Sequence, residues 1–266
     1  MRNKIYKGAV FFDIDGTLLD EQCGIFTPTD ITKKSIQGLK ENGYLTCVAT
    51  GRSKCYMSDV DVNFDAYITC NGAVCEADGE ILVCDVFPSD KKLELVEYLD
   101  RHGFAFNLET RDICYYGEAK AQKFQWMLEL FNINQNCFEP LKNPQNVSAN
   151  KSMVIFENEE MYQGLLEKFG KYFSIARLRG YPSADINNLN TTKANGIKAI
   201  TEKLNIPIEN TYAFGDGAND RDMLEAAGHG IAMTPHDPIL DSVADFVTCS
   251  VKDEGIYNAL KHFELI

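Results

Sequence analysis

A five-residue apolar run near the start of the chain, Gly8-Ala9-Val10-Phe11-Phe12, stops abruptly at Asp13-Ile14-Asp15-Gly16. A run this short and this free of polar residues suits a strand buried on both faces, and such strands belong to parallel sheets covered by helices. The same grammar continues downstream. Thr27-Pro28-Thr29-Asp30 offers helix-starting residues, Ile31, Ile36 and Leu39 form an apolar side, and Gly43 is a stop, which predicts a helix over about 30 to 42. Tyr44 to Ala49 and Ala66 to Cys70 are further apolar runs, ending at Thr50-Gly51-Arg52 and Asn71-Gly72. Late in the chain, Tyr212-Ala213-Phe214 leads into Gly215-Asp216-Gly217, then a predicted helix from Asp220 to Ala227, then Gly230-Ile231-Ala232-Met233. Strand alternating with helix predicts an α/β fold with right-handed crossovers, and polar residues collect beyond the carboxyl ends of the strands, where open α/β sheets place their sites.

A length of 266 residues exceeds one ordinary domain, so a core carrying a large insertion is expected. Between the two α/β stretches the pattern is mixed: helices near 90 to 102, 119 to 131 and 159 to 169, strands near 104 to 108, 152 to 156 and 184 to 189, and a polar loop over 132 to 150. This predicts residues 1–83 and 188–266 as one core domain and residues 84–187 as an inserted α+β domain. A net charge of -13 without any offsetting basic run argues against nucleic acid as partner. No apolar stretch approaches the roughly 20 residues of a membrane span, and Met1-Arg2-Asn3-Lys4 runs into a strand rather than an apolar leader, so a cytoplasmic protein with no membrane partner is expected. The nine cysteines include no C-x-x-C pair and are expected to be reduced, several as small hydrophobes inside apolar runs.

If the extended period of the first strand continues, Asp13 and Asp15 point to one side while Ile14 points away. Like charges so close call for a cation between them, and oxygen ligands suit magnesium. On spacing alone, a solvated acidic turn explains D-x-D equally well. Gly215-Asp216-Gly217-Ala218-Asn219-Asp220 supplies a second acidic loop whose glycines admit a ligand, although Asn219 or Asp220 could merely cap the next helix. Thr50, beside Gly51, offers a hydroxyl and backbone N–H groups, and Lys193 an ammonium, for a transferring phosphoryl group. Taken singly, these are an ordinary turn and an ordinary surface lysine.

Together these segments resemble the motifs of the haloacid dehalogenase (HAD) superfamily, in its Cof-type, class IIB sugar-phosphatase-like branch. The four occur in order: Phe11-Phe12-Asp13-Ile14-Asp15-Gly16-Thr17-Leu18-Leu19, Ala49-Thr50-Gly51-Arg52, Thr192-Lys193 and Gly215-Asp216-Gly217-Ala218-Asn219-Asp220. The resemblance covers essentially the whole chain and implies a Rossmann-like parallel-sheet core with an α+β cap of type C2. It also implies a magnesium-dependent phosphatase acting through an aspartyl-phosphate, on a small phosphorylated metabolite such as a sugar phosphate, as a monomer or weak homodimer. Under it Asp13 is nucleophile and magnesium ligand, Asp15 is general acid/base and lends its backbone carbonyl to the metal, and Asp216 is the remaining metal carboxylate. Phosphate contacts fall to Ile14 through its backbone, Thr50, Gly51, Lys193 and Asn219. Where the family often has Gly after the motif Lys, this chain has Ala194, with Gly196 two positions later.

Phosphoryl transfer gives each of these residues a task, whereas dehalogenation would leave Asp15 and the acidic loop unused. A phosphomutase or phosphotransferase would use the same motifs. A non-catalytic magnesium- and phosphate-binding regulator is disfavoured by the retention of Asp13, Asp15, Lys193 and Asp216, and a manganese-dependent nucleotide-sugar transferase would leave Lys193 unexplained. Arg111, Arg177, Arg179 and Tyr181 of the insertion are possible substrate contacts, though surface Arg and Tyr are common. His102, His229 and His236 read as surface or satisfied histidines, and Trp126 and Phe131 as core of the inserted domain.

Overall fold

The computed structural model describes residues 5–130, 133, 135–178 and 180–266, and the chain divides into two compact units. The first comprises Met1–Gly51, Asp59–Val83 and Thr192–Ile266, the second Arg52–Ser58 and Cys84–Thr191. Residues 52–58 and 188–191, assigned to the core from sequence, thus fall in the second unit. Their side chains explain it: Ser53 Oγ donates to the carbonyl of Thr110, Tyr56 to Glu109, and Asn188 and Thr191 to Asp85.

In the first unit the elements are β1 (Gly8–Phe12), α1 (Asp30–Glu41), β2 (Tyr44–Ala49), β3 (Ala66–Thr69), β4 (Val74–Ala77) and β5 (Glu80–Cys84). After the second unit the chain adds α5 (Lys193–Leu204), β12 (Thr211–Gly215), α6 (Arg221–Ala226), β13 (His229–Ala232), β14 (Phe246–Val247) and α7 (Gly255–His262). The strands form one sheet in the order β14-β13-β12-β1-β2-β3-β4-β5. From β14 to β3 every pairing is parallel, and β4 turns back antiparallel to β3. β1 is central, flanked by β12 and β2, and all five of its residues are buried. Phe12 stacks on Phe214 at 5.2 Å, while Phe11 joins Leu45, Cys47, Ile197, Ile200, Met223 and Leu224 in another cluster. Each such side chain contributes about 1.5–3 kcal/mol by leaving water. α1 begins where expected, since Thr29 Oγ1 accepts from the Thr32 amide at 3.1 Å.

The second unit contains α2 (Ser89–Arg101), β6 (Ala105–Glu109), β7 (Cys114–Tyr116), α3 (Ala121–Leu130), β8 (Phe138–Pro140), β9 (Ser152–Ile155), α4 (Glu159–Phe169), β10 (Phe173–Arg177) and β11 (Ser183–Asn188). Its sheet runs β10-β11-β9-β6-β7-β8, antiparallel except for the last pair. β8 lies inside the stretch read as loop, because three residues that pair with β7 are too few to show a period. Trp126 is a correction. It is 56% exposed rather than core, because α3 buries Phe124 and Leu128 four residues apart and position 126 falls on the other side of the helix. Phe131 lies outside the described residues. Among the described residues, no helix is long and apolar enough to cross a membrane.

Candidate active site

Four loops of the first unit carry the residues singled out from sequence, and each leaves the sheet or enters a helix at a defined point. Beyond β1 the Asp13 amide still donates to the carbonyl of Phe214 on β12, at 3.0 Å, which holds Asp13 beside the start of the Gly215-Asp216 loop. The chain then curls tightly: the Ile14 carbonyl accepts from Thr17, Leu18 and Leu19, and the Gly16 amide returns to Leu19. This curl buries Asp13 and Ile14 while leaving Asp15 exposed. Thr50, fully buried at the end of β2, is tied to the next strand end by its amide on Ile68 and its carbonyl to Asn71. Asn71 in turn lies 3.5 Å from Asn219 through the side-chain amides.

Lys193 opens α5, whose N-cap is Thr192, and it is buried, 1% exposed. Its ammonium donates to Asp13 at 2.6 Å and to Asp220 at 2.5 Å. A buried ammonium is tolerable only with such partners. Burial by itself pushes Lys193 down, but the charges and hydrogen bonds of Asp13 and Asp220 reverse this and hold it above the ordinary lysine range. Asp13 is pushed up to about 7 by burial and by the charge of Asp220, against the pull of Lys193. Asp216 rises to about 9, from burial and then from the charges of Asp220 and Asp13.

Asp13, Asp216 and Asp220 each bring a carboxylate oxygen within 4.8 Å of the others. With all three carboxylates ionised, the ammonium of Lys193 leaves two negative charges in excess, which a divalent cation would balance. Their remaining hydrogen-bonding capacity differs. Asp220 is occupied, with Oδ1 on Lys193 and Oδ2 accepting from the amides of Asp216 and Gly217. Asp216 Oδ1 is buried and has no hydrogen-bond partner among the described residues. An orphaned buried carboxylate oxygen in a hard-oxygen cluster fits a cation such as magnesium. Asp13 and Asp216 therefore suit the role of ligands, and Asp220 that of anchoring Lys193.

Gly16 makes room for this arrangement. It has φ +81°, and a Cβ added there would overlap the carboxylate atoms of Asp216. Gly16→Ala is expected to cost about 1–2 kcal/mol through its left-handed backbone, and more through displacement of Asp216. In thermal unfolding, the variant should melt lower than wild type and gain less from added magnesium.

Asp220 is the residue that sequence reasoning undervalues: a helix cap explains it locally, and its place in the Gly215 to Asp220 loop is the available signal. Asp15, expected to share a side with Asp13, is exposed, and its charge adds to the upward push on Asp13 and Asp216. The other candidates have local partners. Arg111 pairs with Asp112, Arg177 with Glu159, His102 with the Tyr98 carbonyl and His236 with the Met233 carbonyl, while His229 stacks on Tyr212. Arg179 lies outside the described residues.

A buried nucleophile-type carboxylate, a cation-ready pair and a buried ammonium at parallel-strand ends suit phosphoryl-transfer chemistry on an α/β sheet. The chain belongs to the haloacid dehalogenase-like hydrolase family, whose model matches residues 10–260. It is similar to the solved structure of a HAD subclass IIB sugar phosphatase, with 26% identity, a TM-score of 0.84 and coverage of 97% of this chain and 100% of that one. A HAD-superfamily phosphatase from Bacteroides thetaiotaomicron has 27% identity and a TM-score of 0.84, over 100% of this chain and 98% of the other. The Bacillus subtilis (strain 168) protein YkrA, provisionally named a phosphatase, is 28% identical over 97% of this chain and 98% of its own length.

Proposed function

We propose that this protein is a magnesium-dependent phosphatase that hydrolyses phosphate monoesters of small metabolites, sugar phosphates foremost, through an aspartyl-phosphate on Asp13. The observation that carries this reading is the grip of Lys193 on Asp13 and Asp220, next to the orphaned oxygen of Asp216. The phosphatase names of the relatives support it, as does the sugar phosphatase among them.

In this mechanism Asp13 bonds to phosphorus as the ester oxygen leaves. Asp15, exposed beside it, gives the leaving oxygen a proton and then takes one from the water that hydrolyses the acyl phosphate. Lys193 orients the Asp13 carboxylate and offers positive charge to the phosphoryl oxygens. The Ile14 backbone, Thr50, Gly51 and Asn219 are the phosphate contacts. Asp13, Asp216 and the Asp15 backbone carbonyl are the groups that would hold the metal. Magnesium, when bound, supplies Lewis acidity to the phosphoryl oxygens. The second unit plays the part of the C2-type cap, the portion of the chain that selects the substrate.

The test is phosphate release from p-nitrophenyl phosphate and a panel of phosphorylated sugars, with magnesium and with excess chelator. Magnesium-dependent release supports the reading and ranks the substrates; no release from any compound refutes hydrolysis and turns attention to phosphoryl transfer between sugars. Binding is checked without turnover. Magnesium at a hundredfold excess over its dissociation constant should stabilise the fold by about 2.7 kcal/mol, read as a rise in the thermal midpoint.

A further inference from the structure

Three thiols of the second unit meet at one point that the phosphatase chemistry does not use. Cys55 sits on the short turn Lys54–Tyr56, Cys114 opens β7 and Cys137 closes the turn before β8. The sulfurs of Cys55 and Cys114 are 3.6 Å apart, and the Cys137 thiol also hydrogen-bonds to Cys55. The segment is already held in register. Ser53 Oγ donates to the carbonyls of Thr110 and Arg111 at 2.5 and 3.1 Å, Tyr56 donates to Glu109 at 2.9 Å, and the Tyr56 ring packs on Phe138 at 5.4 Å. A disulfide needs the sulfurs to approach by a further 1.5 Å or so, within reach of a side-chain rotation.

Cys55 is half-buried and so accessible to a small oxidant, while Cys114 is fully buried behind it. We propose that Cys55 and Cys114 form a hydroperoxide-reactive disulfide site, with Cys55 as the attacking thiol and Cys114 as the resolving one. The Cys55 thiolate attacks the peroxide oxygen, giving a sulfenic acid and an alcohol or water. The Cys114 thiol then attacks the sulfenic sulfur, forming the disulfide and releasing water. The two electrons from the two sulfurs reduce the O–O bond, and a dithiol returns the site to its reduced form by exchange. The acidities agree. Hydrogen bonds from Cys114 and Cys137 hold the Cys55 thiol well below the usual range. Burial raises Cys114, Cys47 and Cys75, and a hydrogen bond to Asp20 raises the exposed Cys23. The thiolate is the reactive form, so Cys55 is the first site of oxidation.

The reduced full-length protein is dosed with hydrogen peroxide, quenched with iodoacetamide at intervals and mapped by mass spectrometry without reduction. The expected first product is a Cys55–Cys114 cross-linked peptide, lighter by two hydrogens, formed before Cys23, Cys84 or Cys249 is oxidised and reversed by dithiothreitol. Cys55→Ser should lose the cross-link entirely while retaining phosphate release. Cys114→Ser should leave a Cys55 sulfenic acid that dimedone traps. Full alkylation of both Cys55 and Cys114 after the exposed thiols have oxidised would overturn the proposal. So would a Cys114–Cys137 cross-link in Cys55→Ser, or Cys137 taking the place of Cys114 in the wild type.

Discussion

Asp13→Asn should lower turnover by about four orders of magnitude or more, the scale on which removal of a nucleophile acts, while the protein remains folded. The side chains are nearly isosteric, and the introduced asparagine keeps an oxygen that can accept from Lys193, which in the wild type donates to Asp13 at 2.6 Å. Stability should be unchanged or slightly raised. Asp13 stands in a group where burial and the charge of Asp220 already push its carboxyl up to about 7, so removing its charge relieves repulsion there. Phosphate release at saturating substrate gives the first quantity, and circular dichroism with thermal unfolding gives the second. Substantial residual turnover in a folded variant would show that Asp13 is not the nucleophile.

Lys193→Met should produce the largest loss of stability, about 3–5 kcal/mol, because it removes the cation from a buried ion cluster and leaves the carboxylates behind. Lys193 is 1% exposed, and its two partners, Asp13 and Asp220, are at most 5% exposed. Methionine approximates the length of the stem but supplies no donor to either carboxylate. Denaturant unfolding with and without magnesium checks this. The midpoint should fall sharply without metal and recover in part with it, since a bound cation offsets some of the uncompensated charge. Turnover should drop by at least about 10² to 10³, the cost of losing one preorganised charge donor. A stability within about 0.5 kcal/mol of wild type, the range of ordinary surface substitutions, would mean that Lys193 is not a structural cation.

Much of the first unit was legible because its strands are fully buried and therefore monotonously apolar. β1, β2 and β12 lie where uninterrupted runs such as Val10-Phe11-Phe12 and Tyr212-Ala213-Phe214 place them. The helices of the second unit were legible too, from their periods, with α2 and α4 within a residue or so of expectation. What escaped was short or two-sided. β8 has three residues, β10 alternates a buried Phe173 with exposed neighbours, and the size of Trp126 points to core while its angle around α3 turns it to solvent. The candidate site divides the same way. Asp13, Lys193 and Asp216 stand in short motifs next to strand or helix ends, whereas the service of Asp220 to Lys193 joins residues 27 apart in sequence.

The sequence by itself determined the chemistry available and its location, because residue types and their places at strand ends follow from local periodicity and turn composition. An acidic pair after β1, a hydroxyl after β2, an ammonium at the start of α5 and an acidic loop after β12 are all local facts. Only the tertiary structure decided which of these groups meet. Parallel pairing of β1 with β12 sets Asp13 beside the Asp216 loop, and the entry of α5 carries Lys193 between Asp13 and Asp220, 180 and 27 residues distant. The same holds for Cys55 and Cys114, which are 59 positions apart with sulfurs 3.6 Å from one another. Distances of this kind depend on strand order and packing, which arise from long-range burial of apolar surface and leave no periodic trace in the neighbourhood of either residue.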